Sequence, residues 1–148
     1  MFRKVILSAS EIISLITLPD RSALTAHEAK QKSPVELAFI GDAVYELLVR
    51  EYISLTHDAP AAALHKMAIS YVRAEAQHSA LEKISGMLSD EEADIARRGR
   101  NANKVTSSKN ATPADYRAAT GLETLFGFLY LTANDGRIRE LFEAITAE

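Results

Sequence analysis

Helix-start signals are the sequence feature that most restricts the fold of this chain. The motif SPVE at residues 33–36 places a hydroxyl at the N-cap, proline at the first helical position and glutamate where it reaches back to the N-cap amide. The motif TPAD at residues 112–115 repeats this arrangement, and SDEE at residues 89–92 is a plain capping box. Each signal precedes a run of helix-forming residues, so three helices are predicted to begin here.

Further helix starts are predicted near Ser8, at Asp58 and at Asn134. No segment alternates apolar and polar residues over the length of a strand. We therefore expect an all-α fold, a bundle of about six helices, with residues 19–32 as a polar connection.

The composition indicates one globular domain in a reducing compartment. The chain has 148 residues, 47% of them apolar, and no cysteine, which excludes a disulfide framework and cysteine-ligated zinc. Its first 18 residues imitate a signal peptide, but Glu11 and three serines interrupt the apolar run, and no apolar stretch reaches the roughly 20 residues that span a bilayer. We expect a cytoplasmic protein that does not enter a membrane.

The helix that begins after Ser33 carries two carboxylates in an apolar context. At about 100° per residue, Asp42 and Glu46 lie nearly opposite the predicted core stripe. That stripe consists of Leu37, Ile40, Val44, Leu47 and Leu48. Arg50 can pair with Glu46 at i,i+4 spacing, but Asp42 has no local partner.

A second apolar helix, predicted over residues 114–132, contains one isolated acid. Glu123 is the sole acidic residue between Asp115 and Asp135. Gly121 and Gly127 each cost about 1 kcal/mol against alanine within a helix, so something approaches the backbone there. A tightly packed neighbouring helix, a ligand and a dimer partner all remain open as explanations.

Isolated carboxylates on two long helices suggest a cation site. Burying a carboxylate among apolar groups is costly unless it is paired, protonated or bound to a cation. Hard cations such as Mg²⁺ take carboxylate oxygen and water as ligands. We therefore predict that Asp42 and Glu123 meet in the bundle and hold a divalent cation that activates water against a phosphodiester.

The segment between Asp94 and Asp115 is basic in an otherwise acidic chain of net charge −3. It contains Arg97, Arg98, Arg100, Lys104 and Lys109, interspersed with asparagine, serine and threonine. These side chains suit phosphate oxygens, and the lack of an aromatic residue favours a double-stranded substrate over unpaired bases. The arginines also suit a helix C-terminus, whose dipole they complement.

At these residues the chain resembles the ribonuclease III family, in particular its compact Mini-III branch. The segment ELAFIGDAVYELLVR is similar to the family's signature helix, RRGRNA followed by KNAT to its basic segment, and YRAATGLETLFGFLYL to its second acidic helix. The resemblance covers residues 33–148, with residues 1–32 as an extension that would add one further helix. It implies a homodimeric endoribonuclease that cleaves double-stranded RNA with Mg²⁺, or with Mn²⁺ as a substitute. For the Mini-III branch it further implies maturation of the 23S ribosomal RNA precursor, with a ribosomal protein on that RNA as a further partner.

The resemblance also assigns roles to individual residues. Asp42 and Glu123 match the family's catalytic, metal-binding acids, whereas two further acid positions hold Ala38 and Thr120. Glu46 and Thr120 are supporting candidates. The RNA-binding candidates are Arg98, Arg100, Asn101, Lys104 and Lys109.

Two other interpretations stay open at this point. The reduced number of acids would suit a non-catalytic helical module that binds RNA or another partner. The dipeptide His57-Asp58 is found in HD phosphohydrolases, but a lone dipeptide is common by chance, and Asp58 is also a suitable N-cap before Pro60.

Overall fold

The structure is a computed structural model that describes residues 23–102 and 111–148. Within these residues it contains α-helices and one short 3₁₀ turn, Ser85–Met87, and no strand, which confirms the all-α prediction. The helices are α1 (Ala26–Lys30), α2 (Pro34–Thr56), α3 (Ala61–Val72), α4 (Ala74–Ile84), α5 (Asp90–Ala102), α6 (Pro113–Leu131) and α7 (Asp135–Thr146). None of the described helices is both long and apolar enough to cross a membrane.

All three predicted capping motifs form. At the start of α2, Glu36 N donates to Ser33 Oγ over 3.2 Å, and Ser33 N donates to the Glu36 carboxylate over 2.8 Å. The starts of α5 and α6 show the same reciprocal pairs, at residues 89–92 and 112–115. Local side-chain chemistry therefore sets where these helices begin.

The predicted helix after Asp58 differs from the structure in two ways. It begins at Ala61 with Pro60 at the N-cap, because a residue before proline is pushed out of the helical region, so the Asp58 N-cap was wrong. It also divides into α3 and α4 at Arg73, whose ψ of 151° is extended. Neither glycine nor proline marks this break in the sequence.

The predicted polar connection contains helix α1 in its described part. Thr25 and Glu28 form a fourth capping box, which the sequence prediction missed. Leu24 N donates to Leu131 O over 2.8 Å, and Ala29 is fully buried, so this segment packs on the bundle. The helix predicted near Ser8 lies outside the described residues.

Helix α6 is the centre of the bundle, and α2, α4 and α5 pack around it. Its predicted core residues are all buried: Leu122, Leu125, Phe126 and Leu129. On α2, Leu37, Val44 and Leu48 are buried and Ile40 is partly buried, but Leu47 is 50% exposed, so its core assignment was wrong. Val49 is fully buried instead, because α2 packs against α3 as well as α6 and its buried face is rotated from the predicted stripe.

Glycines set the closest helix crossings. A Cβ on Gly41 of α2 would lie 1.6 Å from the Glu123 carbonyl oxygen, and one on Gly127 of α6 would lie 1.9 Å from the Leu37 carbonyl oxygen. Gly121 is crowded less severely by α5, where a Cβ would lie 2.8 Å from Ala96 O. Of the three explanations that the sequence left open for the α6 glycines, the neighbouring helix is the correct one.

We expect Gly41→Ala to lower the free energy of unfolding by at least about 2 kcal/mol, since the new methyl group would push α2 away from α6. Chemical denaturation followed by circular dichroism measures this change. Gly86→Ala is the matched control, because a Cβ there meets no atom within 4 Å, and it should change stability by less than about 1 kcal/mol. Equal effects of the two substitutions would contradict the crossing argument.

Candidate active site

The close crossing of α2 and α6 places Asp42 beside Glu123. Gly41 packs directly on the backbone of Glu123, and Asp42 is the next residue along α2. The Asp42 side chain is exposed, whereas Glu123 is partly buried, and the negative charge of Asp42 acts on the Glu123 carboxyl group. The structure thus brings together the two acids that the sequence analysis singled out, which lie 81 positions apart (123 − 42).

The environment of Glu123 disfavours its charged form. Burial is the largest cause and the Asp42 charge the second, and together they raise its pKa from 4.5 to about 7, against a smaller opposing effect of a hydrogen bond from Gln77. In the described part of the chain, no lysine or arginine forms an ion pair with either carboxylate. A bound cation would relieve both the repulsion and the burial cost.

The donor set fits a hard divalent cation, which prefers carboxylate oxygen. The set has few protein ligands: the residues that the structure describes contain no cluster of three or more histidine, cysteine, aspartate or glutamate side chains suited to a metal. Ala38 is buried and offers no ligand. Thr120 donates its hydroxyl to Tyr116 O over 3.0 Å, a contact within α6.

Glu46 has the local partner that the sequence predicts. Arg50 Nη2 donates to Glu46 Oε1 over 2.7 Å, and Arg50 Nε donates to the same oxygen over 3.2 Å. The charge of Glu46 is therefore balanced within its own helix.

The described part of the basic segment forms the last turns of α5. Arg97 pairs with Asp94, and Arg98 makes a long contact of 3.5 Å from Nη2 to Lys30 O. The aliphatic stem of Arg100 packs over Gly121 of α6, two residues before Glu123, while its side chain remains exposed. Asn101 is also exposed. Lys104 and Lys109 lie outside the described residues.

The sequence analysis missed Gln77 of α4. This side chain is 2% exposed and contacts Glu123 across the interface of α4 and α6. The available signal was a single amide in an alanine-rich helix, which does not reveal a contact with a residue 46 positions away (123 − 77).

Comparisons with known proteins identify the family of this chain. A model of the ribonuclease III domain matches residues 35–134, which include both carboxylates, Gln77 and all of α5. The chain belongs to the ribonuclease III family. It is therefore an endoribonuclease, an enzyme that hydrolyses phosphodiester bonds.

Relatives place the chain in the Mini-III branch of the ribonuclease III family. It is 44% identical to the Mini-ribonuclease 3 of Clostridium tetani over 122 residues, which cover 82% of this chain and 81% of the relative. It is 42% identical to the Mini-ribonuclease 3 of a Thermoanaerobacter species, over 85% of this chain and 89% of the relative. A crystal structure of a Fusobacterium nucleatum protein superposes with a TM-score of 0.71 at 33% identity, over 77% of this chain and 93% of that one.

The raised pKa of Glu123 predicts a stability effect in metal-free protein. A carboxyl group whose pKa is higher in the folded than in the unfolded state contributes stability at low pH. This contribution is fully present below the unfolded pKa near 4.5 and is lost as the pH rises through the folded pKa of about 7. In EDTA, we therefore expect Glu123→Gln to unfold at a higher temperature than wild type at pH 8, with a much smaller gain at pH 5. Thermal unfolding at the two pH values measures this.

Asp90→Asn provides the control, because Asp90 is an exposed acid in the first turn of α5. It should show no comparable gain at pH 8. A Glu123→Gln gain of the same size at pH 5 and pH 8 would contradict the assignment of burial and repulsion to this carboxyl group.

Proposed function

We propose that this protein is a divalent-metal-dependent endoribonuclease that cleaves double-stranded RNA, with Mg²⁺ as its cation and Mn²⁺ as a substitute. Asp42 and Glu123 would hold the cation, which supplies an activated water and neutralises charge on the scissile phosphate. The observation that carries the proposal is the carboxylate pair at the α2–α6 crossing, in which the pKa of Glu123 is raised to about 7 by burial and by Asp42.

The exposure of the two acids suits a shared cation. Asp42 faces solvent, so it is accessible to a hydrated cation and to a phosphodiester, while the partly buried Glu123 forms the floor of the site. The backbone contact between Gly41 and Glu123 keeps the Asp42 and Glu123 side chains on neighbouring turns of two packed helices. This rigid support limits the reorganisation that metal binding would otherwise require.

The end of α5 provides the RNA-binding surface in this proposal. Arg98, Arg100 and Asn101 lie in the last turns of α5, which packs on α6, and Lys104 and Lys109 follow in the sequence. Packing of the Arg100 stem on Gly121 holds its guanidinium group near the helix that carries Glu123. Arginine, lysine and asparagine suit phosphate and 2′-hydroxyl contacts, by which A-form RNA is recognised through its shape.

The active form in this proposal is a homodimer formed through α2. Val35 and Phe39 are 59% and 83% exposed, and Leu47 is also strongly exposed on the same helix. Val35 and Phe39 border an open groove of about 470 Å³, whose other lining residues are Lys32, Glu36, Ile40 and Leu131. Such an apolar surface is typical of an interface. Phe39 is three residues before Asp42, so a second copy on this surface would bring both active sites close to one interface.

Maturation of the 23S ribosomal RNA precursor in the cytoplasm is the biological role that we assign, with a ribosomal protein on the RNA as a further partner. Similarity to proteins named Mini-ribonuclease 3 over most of both chains supports this assignment. In this proposal residues 33–148 form the catalytic domain, and residues 1–32 are an extension whose described part packs on α6.

Asp42→Asn and Glu123→Gln should each reduce cleavage of double-stranded RNA in Mg²⁺ by more than about a hundredfold, since loss of a direct ligand exceeds the effect of losing its supporting contacts. The measurement is single-turnover cleavage, with an electrophoretic shift assay in EDTA to show that RNA still binds. Glu140→Gln, an exposed acid on α7, should retain wild-type cleavage. Wild-type cleavage by folded Asp42→Asn protein would rule out the proposed site, and wild-type protein that shifts RNA in Mg²⁺ without cutting it would rule out the proposed activity.

Phe39→Asp should convert the protein to a monomer, because it would place a charge within the apolar interface. Sedimentation velocity at micromolar concentration tests this. Leu55→Asp is the matched control on the same helix, since Leu55 is 46% exposed near the opposite end of α2, and it should remain a dimer. A wild-type monomer, or a Phe39→Asp dimer, would contradict the proposed interface.

A further inference from the structure

Gln77 differs from the other buried polar side chains in the described part of the chain. Three polar or charged residues of this part are buried: Gln77, Glu92 and Thr124. Glu92 is held by Arg137, and the Thr124 hydroxyl donates to Thr120 O over 2.6 Å. Gln77 Oε1, by contrast, is a buried oxygen with no hydrogen-bond partner among the described residues. An unsatisfied buried acceptor of this kind costs about 1–3 kcal/mol, so its retention calls for an explanation.

The orientation of the Gln77 amide follows from its contact with the end of α3. Nε2 donates to Val72 O over 2.9 Å. A carbonyl oxygen only accepts hydrogen bonds, so the nitrogen and not the oxygen of the amide must face it. Val72 is the last residue of α3, where the extended conformation of Arg73 leaves carbonyl groups without helical partners. The break between α3 and α4 therefore creates the acceptor that orients Gln77.

The second contact of the Gln77 amide is with the active site. Its side chain also contacts the Glu123 carboxylate, and this interaction lowers the pKa of that group. A primary amide has two N–H groups, so one can serve Val72 O and the other Glu123. This leaves Oε1 as a buried acceptor in the same amide plane.

We infer that Gln77 is a positioning residue that holds the Glu123 carboxylate toward Asp42 and offers a neutral acceptor, Oε1, to water at the metal site. This inference rests on the proposed function. A neutral amide suits a site where Glu123 is already repelled by Asp42, because a further carboxylate would add to that repulsion. It also supports a site in which Ala38 and Thr120 occupy two of the family's acid positions.

The size of the expected effect follows from the role of supporting contacts at metal sites. Losing such a contact typically weakens metal affinity or activity by about 10–100-fold. A purely structural role for Gln77, which ties α3 to α4 through Val72 O, would instead lower stability and leave metal affinity unchanged. Metal binding by the folded protein therefore separates the two roles.

The test compares Gln77→Met with Gln31→Met in the full-length protein. Methionine preserves the length of the side chain and removes its hydrogen bonds, and the chain contains only these two glutamines. Gln31 is exposed at the end of α1 and serves as the control. Mn²⁺ binding, measured without RNA by electron paramagnetic resonance, should weaken about 10–100-fold in Gln77→Met only. RNA binding in EDTA should be unchanged, and kcat should fall with little change in KM.

A second measurement uses wild-type protein and so does not depend on the folding of a variant. In protein labelled with ¹⁵N at glutamine side chains, Mg²⁺ should shift the amide resonances of Gln77 and leave those of Gln31 in place. Wild-type protein that binds no Mn²⁺ would overturn the proposed function itself. Wild-type Mn²⁺ affinity in Gln77→Met would overturn only the role of Gln77. The same holds if Mg²⁺ binds to the wild-type protein and does not shift the Gln77 amide resonances.

Discussion

The contact of α2 with α6 at Gly41 and Gly127 is the constraint on which the rest of the structure depends. At both positions the backbone carbonyl of the opposite helix occupies the space of a Cβ, so that no side chain separates the two helices. This closeness makes α6 the buried centre of the bundle and places Glu123 against the residue before Asp42. The same packing that forms the core thus also forms the candidate active site.

The position of the two carboxylates at this helix contact has an electrostatic cost that the fold itself does not remove. Glu123 is partly buried and faces the charge of Asp42, and the structure shows no cationic side chain of the described residues paired with either. A site of this kind is less stable without a cation than with one, which is the usual relation between a functional site and the stability of its scaffold. The neutral amide of Gln77 supports Glu123 without adding charge.

The sequence predicted those features that depend on neighbouring residues. The starts of α2, α5 and α6 follow from hydroxyl, proline and acidic side chains within four positions, and the Glu46–Arg50 pair follows from i,i+4 spacing. The errors occurred where distant contacts decide the outcome. Leu47 is exposed because α3 and α6 select the buried face of α2, and the break at Arg73 has no local signal.

The sequence by itself determined an all-helical chain, the family resemblance and the identity of two isolated acids, because caps, periodicity and charge spacing are properties of short segments. Only the tertiary structure decided that the glycines serve helix crossings, that the predicted meeting of Asp42 and Glu123 occurs at one of them, and that Gln77 contacts Glu123. These residues lie on α2, α4 and α6, and their proximity results from how the helices pack. Packing depends on the shape of whole faces, which no short segment specifies.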